Sequence, residues 1–168
     1  MSHLLALDRR LFLVLHGRSP STRGVARWLS RSGDGWMYAL VALVLYVAGW
    51  TEGDTHLWTL AVAFAIELPL CMGLKQVLRR ERPAVVFPHL VGGFRAADRF
   101  SFPSGHACAA WLHATVLGAA EPRALLLLVP WAIGVAWSRI RLGVHFPADV
   151  AVGGALGVVC ALVALQLS

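Results

Sequence analysis

Long stretches without a charged side chain constrain this chain more than any other feature. Five segments are almost free of Asp, Glu, Lys and Arg: Gly35 to Thr51, His56 to Leu74 (broken only by Glu67), Ser104 to Ala120, Ala124 to Ser138 and Val150 to Ser168. In hydrocarbon the backbone must satisfy its own N–H and C=O groups, so such segments are helices. Crossing a bilayer takes ~20 residues, with ~17 near the lower limit, so the shorter segments must borrow flanking residues. Trp36 and Trp50 sit near the ends of the first segment, where an interfacial aromatic belt belongs. Composition agrees. Over 168 residues, 58% are apolar and only 14% charged, with mean hydropathy +0.66. A soluble domain carries about 25% charged residues. Too few charges remain to coat a soluble globule, and the apolar content excludes disorder. The expected fold is all-α: a polytopic, multi-pass membrane bundle of five to six transmembrane helices, preceded by N-terminal amphipathic helices.

Residues 1–34 differ from the rest. Leu4, Leu7, Leu11 and Val14 or Leu15 recur at helical spacing, while Arg23, Arg27 and Arg31 recur every four residues opposite Val25, Trp28 and Leu29. This pattern predicts amphipathic helices at the membrane surface, arginines toward anionic headgroups, or a re-entrant segment, with residues 35–168 forming the transmembrane domain. The apolar run Leu11 to Leu15 is too short for the ~7–15-residue core of a cleavable signal. Cys71, Cys108 and Cys160 form no CxxC pair and read as small buried side chains. Gly153 and Gly157 make a GxxxG pattern suited to close helix packing inside the bundle.

Three polar clusters stand at the ends of these segments: Lys75 to Pro83, Pro103-Ser104-Gly105-His106, and Ser138-Arg139 through His145 to Asp149. If each segment crosses once, parity brings all three clusters to one membrane face. There, Lys75, Arg82 and Arg139 offer permanent positive charge and many donors, and arginine forks match phosphate oxygens. Ser104 and Gly105 open a helix whose free N–H groups and dipole favour an anion. His145 and Asp149 are four apart and share a helical face. A carboxylate on one imidazole nitrogen fixes the tautomer and raises the basicity of the other. His106, with no carboxylate near it in sequence, suits the complementary acid. An anion cradle with two histidines fits phosphoryl transfer, which runs on positioning and charge stabilisation. The clusters lack the carboxylates of a magnesium site, so neither a metal nor another cofactor is expected. The basic excess, fifteen Lys+Arg against nine Asp+Glu, serves phosphate and membrane and calls for no nucleic acid.

The pattern Lys75-x6-Arg82-Pro83, Pro103-Ser104-Gly105-His106, Ser138-Arg139-x5-His145-x3-Asp149 resembles the three-part signature of the type 2 phosphatidic acid phosphatase (PAP2) family, all parts in order. That family also includes vanadium haloperoxidases and soluble bacterial acid phosphatases. The resemblance implies a lipid phosphatase in which Lys75, Arg82, Ser104, Gly105 and Arg139 bind phosphate. His106 is then the general acid, His145 the nucleophile and Asp149 its orienting partner. Implied substrates are undecaprenyl diphosphate, phosphatidylglycerol phosphate, phosphatidic acid and lipid A 1-phosphate. The spans count against a haloperoxidase, and the intact histidines count against a non-catalytic lipid-binding or transport protein.

Arg79, Arg80 and Arg141 lie outside the signature and either contact a headgroup or flank the membrane. Glu67 is expected to pair within the bundle, His113 to be a neutral interior histidine, and His89 to belong to the loop. Fourteen of the fifteen Lys+Arg, all but Arg123, fall on the site face or in the N-terminal segment. By the positive-inside rule that face is cytoplasmic, whereas relatives acting on undecaprenyl diphosphate work outside. The sequence reading places the active site at the extracytoplasmic face. The alternative is a cytoplasm-facing phosphatase of a polyprenyl-phosphoryl pentose phosphate. The oligomeric state is left open.

Overall fold

The uncharged segments become helices in the computed structural model, which describes residues 2–17, 20–49, 53–91 and 98–168. In chain order they are α1 (Ser2–His16), α2 (Pro20–Ser32), α3 (Gly35–Val47), α4 (Gly53–Leu78), the short α5 (Pro83–Val86), α6 (Gly105–Ala120), α7 (Leu125–Arg141) and α8 (Pro147–Leu167). Among the described residues there is no strand. Three stretches of the described residues are long and apolar enough to cross a membrane: His56–Val86, Pro122–Arg141 and Pro147–Leu167, carried chiefly by α4, α7 and α8.

The five expected spans are not realised alike. α3 has 13 residues and α6 has 16, both below the ~20 of a full crossing. Trp50 lies outside the described residues. For α6 the reason is its position: it packs against α4, α7 and α8 and buries most of its length, from Ala107 to Gly118. A helix enclosed by other helices has no lipid thickness to match.

The α6–α8 contact is the closest in the bundle, and the GxxxG pattern explains it. A Cβ on Gly157 would sit 2.0 Å from the Cys108 carbonyl oxygen, and one on Gly153 would sit 2.5 Å from that of Ser104. Without side chains at these two positions the backbones approach directly, inside one chain. Cys71, Cys108 and Cys160 are free and buried.

The N-terminal helices dock at one end of this core. α2 lies along α7 and buries Ala26 and Ser30, while Val25 and Trp28 of the expected apolar stripe remain exposed. α1 inserts Phe12, fully buried, against the rings of Phe87 and Phe146 at 5.7 and 5.4 Å. Its leucine stripe, Leu4, Leu7 and Leu11, faces outward.

Candidate active site

At that same end the C-termini of α4 and α7 meet the N-termini of α6 and α8. Basic residues complement helix C-termini, and helix N-termini offer free N–H groups, so this end collects positive charge on both counts. Lys75 sits in the last turn of α4 and Arg139 in that of α7. Gly105 and His106 open α6, and His145 lies in the turn before α8. These five residues line one cavity of about 640 Å³, which continues between α3 and α4 along Tyr38, Ala42, Leu60, Phe64, Leu68 and Met72.

Residues of all three polar clusters thus lie together at this end. Arg82 Nη1 donates to the Val144 carbonyl at 2.7 Å and lies 3.4 Å from His145 Nε2. His145 is buried. That burial, followed by the charges of Arg82, Arg139 and Lys75, holds its imidazole well below the usual histidine range, so it is neutral at pH 7. Its Nδ1 faces Asp149 Oδ2 at 3.7 Å. Ser104 departs from the expected phosphate contact. It is fully buried and its hydroxyl caps α6, accepting from the Ala107 N–H at 3.5 Å. Its own N–H donates to the Asp149 carbonyl at 3.0 Å, which ties α6 to α8.

Four groups were not legible as site residues. Arg80 donates to Asp149 Oδ1 at 2.7 Å and also ion-pairs with Asp8 of α1, with its guanidinium 4.4 Å from the Phe146 ring centre. Asp8 in turn accepts from the Ala148 N–H at 2.9 Å. The carboxylate of Asp98 bridges Lys75 and Arg82. Partial burial raises the Asp98 carboxyl, but the two cations outweigh that and leave it below its ordinary range. Asp34, in the α2–α3 turn, lies 3.0 Å from His106 Nε2. His106 has no carboxylate near it in sequence, and the one it meets in space is 72 positions away, beyond the reach of any local motif.

Other polar residues have structural places. Arg139 donates to the hydroxyl of Ser30, and Arg141, 2% exposed, donates to Thr22 at 2.8 Å, so both pin α2 to the bundle. Arg141 is thus a packing residue rather than a headgroup contact. Glu67 is buried at the cavity wall, held by the thiols of Cys108 and Cys71. His113 is interior, its ring 5.2 Å from that of Tyr38, and His89 is exposed on the loop.

The sequence profile of the PAP2 superfamily matches residues 56–168. The decaprenylphosphoryl-5-phosphoribose phosphatase of Mycobacterium tuberculosis is 35% identical over 144 residues, covering 82% of this chain and 76% of that one. An undecaprenyl-diphosphatase of Sulfolobus acidocaldarius is 28% identical over 157 residues, covering 92% and 75%. Among solved structures, LpxE of Aquifex aeolicus superposes with TM-score 0.83 at 27% identity, covering 95% of each chain. A transmembrane PAP2-type phosphatidylglycerolphosphate phosphatase of Bacillus subtilis shares the fold, with TM-score 0.78 at 20% identity over 99% of this chain and 87% of that one.

Proposed function

The chain belongs to the PAP2 superfamily and is a lipid phosphatase, and from that premise we propose that it removes the terminal phosphate of a polyprenyl lipid through a phosphohistidine, without a metal ion. In this reading His145 Nε2 attacks phosphorus, the bond to the leaving oxygen breaks, and His106 delivers a proton to that oxygen. Lys75, Arg82 and Arg139, with the Gly105 N–H, neutralise the charge that builds on the phosphoryl oxygens. Water then attacks phosphorus, giving its proton to His106 as the P–N bond breaks, and phosphate and neutral His145 are released. The carboxylates of Asp8, Asp34, Asp98 and Asp149 are each engaged by a cation or an imidazole, a donor set that favours the metal-free route.

One observation carries the lipid reading. The cavity that ends at His106, His145 and Arg139 continues as a mostly apolar groove between α3 and α4, with Glu67 in its wall. A phosphate at its polar end and a hydrocarbon chain along Leu60, Phe64 and Leu68 fit one amphipathic substrate.

The choice among lipids turns on sidedness. Asp8 meets Arg80, Ser30 meets Arg139 and Thr22 meets Arg141, so α1 and α2 dock at the site end. Their arginines thereby join those of the site on one face. By the positive-inside rule this favours the cytoplasmic face over the extracytoplasmic one, and with it a polyprenyl-phosphoryl pentose phosphate over undecaprenyl diphosphate. The relative from Mycobacterium tuberculosis acts on a substrate of that first class by its name.

Two experiments test the reading. Purified protein is expected to release phosphate from a polyprenyl-phosphoryl pentose phosphate in EDTA, and His145→Ala to lose that activity. Unchanged turnover in the variant overturns the phosphohistidine, and turnover only with added magnesium overturns the metal-free route. A single cysteine placed at Arg99 is expected to resist membrane-impermeant maleimide in intact cells. Labelling there returns the site to the outer face.

A further inference from the structure

Aspartate at the start of a helix ordinarily accepts from the N–H groups of its own first turn. Asp34 stands at that position before α3, in extended conformation (φ −74°, ψ 144°), and makes no such bond. Its carboxylate reaches instead to His106 Nε2 on α6, at 3.0 Å. The turn that carries it is seated firmly. Gly33 is buried, and a Cβ there would lie 2.8 Å from Val135 Cγ1 and 3.4 Å from the Tyr38 hydroxyl. The carboxylate thus serves a distant imidazole rather than a local cap, on a turn packed closely against α7 and Tyr38.

We propose that Asp34 is the positioning residue of the general acid, holding His106 by Nε2–H so that Nδ1 is the nitrogen that exchanges a proton with substrate. This rests on the role of His106 proposed above. The charged groups facing His106 are Asp34 from the α2–α3 turn, Arg139 from α7 and Lys75 from α4. Burial first, then Arg139 and Lys75, disfavour a proton on His106, and Asp34 is the neighbour that opposes them. In the first step the proton passes from His106 Nδ1 to the leaving oxygen as the P–O bond breaks. In the second, water returns a proton to the same nitrogen as its oxygen bonds to phosphorus and the P–N bond breaks. Both histidines then have a carboxylate beside them, at hydrogen-bond distance for His106 (3.0 Å) and at 3.7 Å for His145. That of His145 comes from within the signature. That of His106 comes from residue 34, outside the region matched by the family profile.

The test exploits the leaving group. An alkoxide needs a proton as it departs, whereas p-nitrophenolate does not, and general acid catalysis contributes about 10²–10⁴-fold. Asp34→Asn is expected to lower kcat on an alkyl lipid monophosphate by roughly 10- to 100-fold. It should also move the basic limb of the pH–rate profile to lower pH. The pre-steady-state burst of p-nitrophenol from p-nitrophenyl phosphate, which reads the first step alone, should stay within about threefold of wild type and also reports that the variant is folded. Asp34→Glu should restore part of the alkyl rate, and Asp34→Asn should add little in a His106→Ala background. Equal losses on both esters, an unmoved pH limb, or full additivity with His106→Ala overturns the proposal. Failure of the underlying reading is seen separately, as persistent activity in His145→Ala.

Discussion

Arg80 donates to Asp149 at 2.7 Å and, through its other terminal nitrogen, grips Asp8. Asp149 is fully buried at the start of α8, directly behind His145. Its two oxygens are committed, Oδ1 to Arg80 and Oδ2 to the Phe146 N–H at 2.8 Å. A carboxylate taken out of water is tolerable only when its charge is matched and its lone pairs are used. Arg80 therefore sets the condition under which Asp149 can face the imidazole at all, and Asp8 ties that condition to the N-terminal helix.

Removing Arg80 is the more damaging half of this arrangement. Arg80→Ala strands Asp149 as a buried unpaired charge, for which about 3–5 kcal/mol of stability is at stake. Thermal unfolding in detergent should show a loss of that order, with activity falling alongside. Asp8→Asn leaves the Arg80–Asp149 bond in place and should cost distinctly less on both readouts. If the two variants are equally damaging, Arg80 acts through Asp8 rather than through Asp149.

Asp98 occupies the position of a competitor for phosphate. Its carboxylate bridges Lys75 and Arg82, two of the three cations of the cradle. Asp98→Asn removes the negative charge and frees both, so inorganic phosphate and vanadate should inhibit the variant at lower concentration than wild type. The sign with pH follows from its depressed carboxyl. The clamp is in place above the ordinary carboxylate pKa and is released only as pH falls through the lowered folded value. Wild-type inhibition should therefore resemble the variant's only under strongly acidic conditions and differ from it at neutral pH. Inhibition constants that match at neutral pH would sink this prediction.

What the sequence made legible, and what it did not, divides by distance along the chain. His145 and Asp149 are read from four-residue spacing, Gly105 and His106 from a helix start, and Gly153 with Gly157 from their period. Each is a local pattern that survives folding. Arg80, by contrast, is one arginine among several in a basic stretch, and its meaning lies in Asp149 and Asp8, 69 and 72 positions away. Ser30 and Asp34 likewise acquire partners only when α2 lies along α7. The length of α6 misled for a related reason, because an uncharged segment looks the same whether it faces lipid or other helices. Ser104 is read onto phosphate from its place at a helix start within the signature, yet its hydroxyl is turned back to cap the helix.

The α6–α8 contact gives a stability prediction with an internal control. An alanine Cβ at position 157 meets the Cys108 carbonyl oxygen at 2.0 Å, and backbone cannot move aside cheaply. Overpacking of this kind costs about 1–3 kcal/mol. Gly24 of α2 has nothing within 4 Å of the same atom. Gly24→Ala should be neutral or raise stability by about 0.4–1 kcal/mol, through the unfolded chain. Thermal melts of Gly157→Ala and Gly24→Ala should move in opposite directions or differ by several degrees. Indistinguishable melts would mean that α6 and α8 are free to separate.

The neutral imidazole of His145 also marks the pH dependence of folding. Burial first, then Arg82, Arg139 and Lys75, lower its proton affinity in the folded chain. The unfolded histidine titrates near 6.5. Below about that pH the unfolded state binds a proton that the folded state refuses, so stability falls as the solution is acidified. It is regained as pH rises through ~6.5, the reverse of the behaviour of a histidine held by a carboxylate. One such group contributes a slope of up to about 1.4 kcal/mol per pH unit between the two pKa values. His145→Gln cannot take up that proton on unfolding. Denaturation of the variant between pH 7 and pH 5 should accordingly show a shallower decline than wild type, by close to one proton. An unchanged slope would mean that His145 is already charged in the folded protein, and that the nucleophile is not poised at neutral pH.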